Sequence, residues 1–73
     1  MEWNQVVSRN VRHLRQAKHL TQEQLSLEAG LDLTYIGGIE RGRRNPTVKV
    51  LGQIAAVLGV EPADLLRAIA PQD

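Results

Sequence analysis

Between Thr21 and Pro46 the sequence TQEQLSLEAGLDLTYIGGIERGRRNP packs two short helical patterns on either side of a very brief connection. Few backbone geometries can satisfy both. Thr21 reads as an N-cap, and Gln24, three residues on, completes a capping box. Leu25 and Ala29 then share one helical face. Gly30 supplies the left-handed conformation that ends a helix. Asp32 is the next N-cap, and Ile36 and Ile39 form the buried stripe of the helix it opens. Helices so short and so closely joined must cross steeply. The result is a helix-turn-helix over 21–41, whose second helix can enter the major groove of duplex DNA.

The rest of the chain reads as helix as well. Val7, Val11 and Leu14 recur at helical spacing, with Trp3 one turn earlier, and predict a helix from Trp3 or Asn4 to Lys18. The second and third helices run over 22–29 and 33–41. Thr47 caps a fourth, which carries Val48, Leu51, Ile54, Ala55 and Leu58 and ends at Gly59. Pro62 opens a fifth over 62–70, with Leu65, Leu66 and Ile69, ahead of Pro71. No stretch alternates β-branched and polar residues for long. The expected fold is all-α: a compact five-helix bundle forming one domain over 1–73.

A chain of 73 residues builds one modest core and no separate catalytic cleft. It has no cysteine to hold zinc or form a disulfide, which suits a reducing cytoplasm. No apolar run is long enough to span a membrane. The net charge of +1 hides an asymmetry. Residues 1–49 hold eight Lys/Arg against five acids, whereas residues 50–73 hold Arg67 against three acids. The basic residues cluster at 9–18 and 41–49 with no acid inside either cluster. This pattern fits either one polyanion-facing side or a solvated charged face.

The run LTQEQLSLEAGL, followed by TYIGGIERGRRNPT and VLGQIAAVLGV, resembles the DNA-binding domain of the phage repressor and Cro proteins, the XRE family with the lambda repressor-like fold. The resemblance covers Val7 to Leu66. It is carried by Thr-Gln opening helix 2, Ile-Glu-Arg-Gly closing helix 3, Asn-Pro before helix 4 and Leu-Gly-Val after it. Within the family, TYIGGIERG is most similar to the controller proteins of restriction–modification systems. The resemblance implies that Asp32, Leu33, Thr34, Gly37 and Gly38 face the bases. It also implies that Gln22, Arg41, Arg43, Arg44 and Asn45 lie along the phosphates, and that Arg15 and Glu40 form a structural ion pair. Three features depart from the family pattern. His19 stands where glycine is usual. Leu27 replaces a residue that is usually polar. Leu33, Gly37 and Gly38 stand where longer hydrogen-bonding side chains are common.

The single residues leave some choices open. Gly37 and Gly38 cost helix stability, and serve tight packing against another helix, close approach to DNA, or a flexible recognition helix that settles on binding. Thr34 is the one conventional polar base reader in mid-face, and Leu33 offers only apolar contact. Discrimination then falls to DNA shape, or to Arg43 and Arg44 reaching a groove edge. The Tyr35 hydroxyl reaches a phosphate, or its ring packs on helix 2. His13 and His19 share no helical face and have no cysteine or carboxylate cluster nearby, so no metal site is expected. Ser8 and Ser26 lack a histidine–acid partner, so no enzymatic activity is expected. Ser26 reads as a small residue at the helix crossing.

The expected function is a sequence-specific, dimeric transcriptional regulator that binds double-stranded DNA, occupies an operator and regulates its own operon. Val60, Leu66 and Ile69 are the expected dimer contact, with Leu27 as a second candidate. No cofactor, small-molecule ligand or membrane partner is expected. The rival reading is an antitoxin-type protein-interaction module that also binds DNA.

Overall fold

In the computed structural model, which describes residues 2–68, four α-helices and one 3-10 turn surround a core of aliphatic side chains. Helix α1 spans Trp3–Ala17, α2 Gln22–Ala29, α3 Leu33–Glu40 and α4 Val48–Leu58. The 3-10 turn spans Pro62–Leu66. There is no strand among the described residues.

Local chemistry sets the boundaries. Thr21 Oγ accepts from the Gln24 N–H at 3.0 Å, and the Thr21 N–H donates to Gln24 Oε1 at 2.8 Å. Both members of the capping box are therefore satisfied. Gly30 ends α2 with φ 72°, and Gly59 ends α4 with φ 73°. Asp32 caps α3 through the Thr34 N–H, and Thr47 caps α4 through the Val50 N–H.

Val11, Leu25, Ile36, Ile39, Ile54 and Leu65 are essentially inaccessible to water. They come from every element, so no helix completes its buried stripe alone. Helix α1 packs on α3, α4 and the 3-10 turn, and α2 bridges α3 and α4. Trp3 does not join the core. It is 56% exposed, at the first residue of α1. With Asn4, Val7, Asn45, Pro46, Leu51 and Leu66 it borders a cleft of about 190 Å³.

The expected fifth α-helix over 62–70 is corrected to the 3-10 turn at 62–66. The buried Asn10 explains why. Its Nδ2 donates to the carbonyls of Leu65 and Arg67 at 2.9 Å each, with a longer contact to Asp64 at 3.4 Å. The Leu65 carbonyl, which a continuing α-helix would use, is thereby engaged from outside it. Arg67 turns extended, with ψ 123°. Ile69, the last of the expected dimer contacts, lies outside the described residues. Of the other two, Val60 is half-buried against the core and Leu66 is 42% exposed.

Candidate nucleic-acid interface

Helix α3 has two sides of different character. Ile36 and Ile39 point into the core. Thr34 and Leu33 are exposed on the other side, beside the Asp32 cap. Arg41, Arg43, Arg44 and Asn45 follow directly and are exposed as well. Polar neighbours fix the helix in place. Glu40 is only 3% exposed and receives Arg15 in a bidentate pair, Nε to Oε2 at 2.6 Å and Nη2 to Oε1 at 2.9 Å. Two parallel N–H to oxygen contacts fix orientation as well as distance. Arg15 also donates to the Leu20 carbonyl at 2.7 Å, and Gln22 Nε2 donates to Glu40 Oε1 at 3.0 Å. One carboxylate thus ties together α1, the start of α2 and the end of α3. Its hydrogen bond holds the Arg15 guanidinium charged to still higher pH than an ordinary arginine, against the opposing effect of burial.

A second clamp acts on the loop after α3. Ser8 Oγ donates to the Glu40 carbonyl, and Asn4 Nδ2 donates to the Gly42 carbonyl at 2.6 Å. Gly42 has φ 72°, and a Cβ there would stand 2.5 Å from Gln5 Nε2. The left-handed φ favours glycine at this turn, and any side chain would also have to push Gln5 aside. The roles of Asn4, Ser8 and Gln5 escape a reading of the sequence because each contact joins residues more than thirty positions apart. Their sole local signal is a polar stripe, Asn4 and Ser8 at i,i+4, on the side of α1 that also carries Val7 and Val11.

Gly37 and Gly38 require a correction. They do not present open backbone outward. Both are buried, although they lie on the side of α3 away from Ile36 and Ile39. The covering atoms belong to arginines. A Cβ at Gly37 would meet Arg41 Nη1 at 3.2 Å, and one at Gly38 would meet Arg44 Cγ at 2.7 Å. The Arg44 guanidinium carbon stands 5.8 Å from the centre of the Tyr35 ring, which is half-buried against the core. The loop folds back because the Arg43 N–H donates to the Gly38 carbonyl at 2.9 Å and the Gly42 N–H to the Ile39 carbonyl at 3.0 Å.

The arrangement offers a short braced helix with the uncommitted hydroxyl of Thr34 on its exposed side, and three exposed guanidinium groups at its end. Such a surface can bind a polyanion through charge and can enter a groove about as wide as a helix. Among the described residues, no three His, Cys, Asp or Glu side chains gather where they could hold a metal ion. No helix there is long and apolar enough to cross a membrane.

Comparisons with known proteins agree with this geometry. A helix-turn-helix family model, HTH_3, matches residues 11–65. The HTH-type transcriptional regulator y4dJ of Sinorhizobium fredii is 41% identical over 66 residues, covering 90% of this chain and 86% of its own. Control protein C.BamHI of Bacillus amyloliquefaciens is 46% identical over 57 residues, covering 77% of this chain and 70% of its own. Among solved structures, the restriction-modification controller protein C.AhdI from Aeromonas hydrophila superposes with a TM-score of 0.82 at 40% identity. That match covers 85% of this chain and 94% of C.AhdI.

Proposed function

This chain belongs to the helix-turn-helix family of XRE type, and on that premise we propose that it is a sequence-specific transcriptional regulator. It occupies operator DNA as a two-fold dimer, acts in the cytoplasm, and controls its own operon in the manner of a restriction–modification controller. The observation that carries the reading is α3 itself. The helix is braced on its inner side by Arg15, Glu40 and Gln22, and is bordered on its outer side by Arg41, Arg43 and Arg44.

In this reading α3 lies in the major groove with Asp32, Leu33 and Thr34 toward the base edges. The Thr34 hydroxyl donates or accepts, and its methyl suits a thymine methyl. Arg41, Arg43, Asn45 and the Tyr35 hydroxyl contact phosphates and set the register. The N-terminal end of α2 faces a further phosphate, with the Gln22 amide already oriented by Glu40. Arg44, packed along α3, stands between the two roles. The Arg15–Glu40 pair adds little net stability and keeps the helix at one angle.

Selection of bound sequences from random duplex DNA at two salt concentrations tests the reading. One sequence class with two half-sites about one helical turn apart is expected. Arg43→Ala lowers the slope of log affinity against log salt by roughly one for each phosphate left without its arginine. A protein that ignores duplex DNA even at low salt refutes the proposal.

A further inference from the structure

Position 38 lies on the outer side of α3 and carries no side chain, yet the space above it is filled. The stem of Arg44 lies across it, close enough that a Cβ on residue 38 would stand 2.7 Å from Cγ, 3.4 Å from Nε and 3.6 Å from Cδ. Real carbon atoms do not approach to 2.7 Å, so any side chain at 38 would displace Arg44. Two further contacts define the path. The Arg43 N–H donates to the Gly38 carbonyl at 2.9 Å and pins the loop to the helix one residue before Arg44. The Tyr35 ring then lies within cation–π range of the guanidinium at 5.8 Å. Arg44 is thus laid along the helix instead of projecting freely into solvent.

Glycine is a poor residue for the interior of an exposed helix, and alanine would favour the helix more. Close backbone approach to DNA does not account for Gly38 in this conformation, because the backbone there is covered. Room for Arg44 does account for it. A planar guanidinium held along the outer side of α3 carries paired N–H donors suited to O6 and N7 of guanine in the major groove. Resting on the reading of the chain as a groove-binding regulator, we propose that Gly38 is a specificity-determining positioning residue. It leaves a channel across α3 in which Arg44 lies, so that a guanidinium from the following loop reads a guanine edge that α3 has no long side chain of its own to read.

The test compares wild type, Gly38→Ala and Arg44→Lys by selection from random duplex DNA, with thermal melting and the salt slope measured for each. Gly38→Ala is expected to stay folded, because Arg44 alone has to move. It is expected to bind duplex DNA with the wild-type salt slope and to lose roughly a 5- to 150-fold preference at one G·C pair of each half-site. Arg44→Lys keeps the charge but not the planar fork, and is expected to lose preference at that same pair. If Gly38→Ala folds and keeps the wild-type preference at every position, the positioning role is overturned. If Arg44→Lys leaves the selected site unchanged, the guanine-reading role is overturned while the regulator reading stands. A wild-type protein that enriches no sequence overturns the regulator reading and this inference together.

Discussion

His19 occupies the left-handed region at φ 59° immediately after α1, where its N–H donates to the Gln16 carbonyl at 3.0 Å and Leu20 reaches back to Arg15 at 3.1 Å. This closure of a helix end is one that glycine usually makes. A side chain in that region costs about 1–2 kcal/mol through the clash of Cβ with the following carbonyl. Glycine removes the clash but loses about 0.5–1 kcal/mol of chain entropy on folding. The balance favours glycine, so His19→Gly is expected to stabilise the protein by about 0.5–1 kcal/mol, which in a domain this small is several degrees in Tm. His19→Val is expected to destabilise it by more than about 1 kcal/mol, since β-branched residues tolerate the conformation poorly. Thermal and urea unfolding of the two variants measure both differences. His19 is exposed and lies at the far end of α1 from the Asn4 and Ser8 contacts to the arginine loop, so operator affinity is expected to stay unchanged in both folded variants.

Among the elements, the 3-10 turn at 62–66 depends most on a distant residue. Asn10 is 1% exposed, and its amide nitrogen serves carbonyls 54, 55 and 57 positions away. Its Oδ1 finds no partner, so the side chain acts purely as a donor. Asn10→Ala removes that donor and leaves the buried Leu65 carbonyl unpaired, at a cost of about 1–3 kcal/mol in urea unfolding. Leu65, which the turn delivers to the core, is expected to lose hydrogen-exchange protection with it. The start of the turn has a separate, titratable support. The Glu61 N–H donates to Asp64 Oδ2 at 2.9 Å and Arg67 donates to Oδ1 at 2.8 Å, and the two hold the Asp64 carboxyl below its usual range, the backbone bond contributing most. A depressed carboxyl stabilises the fold above its unfolded-state pKa and stops doing so as pH falls through its lower folded-state value. Asp64→Asn is therefore expected to be less stable than wild type at neutral pH, with the gap closing in strong acid. Stability curves of both proteins between pH 7 and pH 2 measure it. These contacts also mark how far the sequence could be read. Thr21 with Gln24, Asp32 with Thr34, and Thr47 with Val50 cap their helices from two or three residues away, and local spacing locates α2, α3 and α4 correctly. Pro62 and the apolar residues after it are equally compatible with α-helix. Asn10, from the other end of the chain, engages the carbonyls of the turn, and no local spacing announces that contact. The covering of Gly38 was hidden for a similar reason, because it depends on how the 41–44 loop folds back. Trp3 matched the core spacing of α1 but lies at its very first residue and borders the cleft instead of joining the core.

At the scale of the whole molecule, charge is unevenly divided along the chain. The half up to residue 49 carries the basic excess, and the acidic balance lies after it, with Leu66 42% exposed beside Arg67. A domain this small presents one helix to DNA, and one helix reads too few base pairs for a selective operator. Two copies related by a two-fold axis present two, and the second then binds at the high effective concentration set by the first. We propose that the contact lies at Leu66 and Val60, in the half of the chain where acidic side chains outnumber basic ones. Leu66→Glu is expected to convert the protein from dimer to monomer in sedimentation equilibrium at micromolar concentration. Leu27→Glu, at a side chain that is 76% exposed on α2, is expected to leave it dimeric. A wild-type protein that sediments as a monomer under those conditions rules the dimer out. The same variant separates assembly from recognition. Leu66 is not part of the buried core, so the monomer should stay folded, with a melting transition that no longer depends on protein concentration, and still bind an isolated half-site with the wild-type salt slope. On the full operator its affinity should fall toward that of the half-site alone. Equal affinity of the Leu66→Glu monomer and the wild type for the full operator would mean that a single α3 suffices for recognition, and that the exposed leucine serves some other contact.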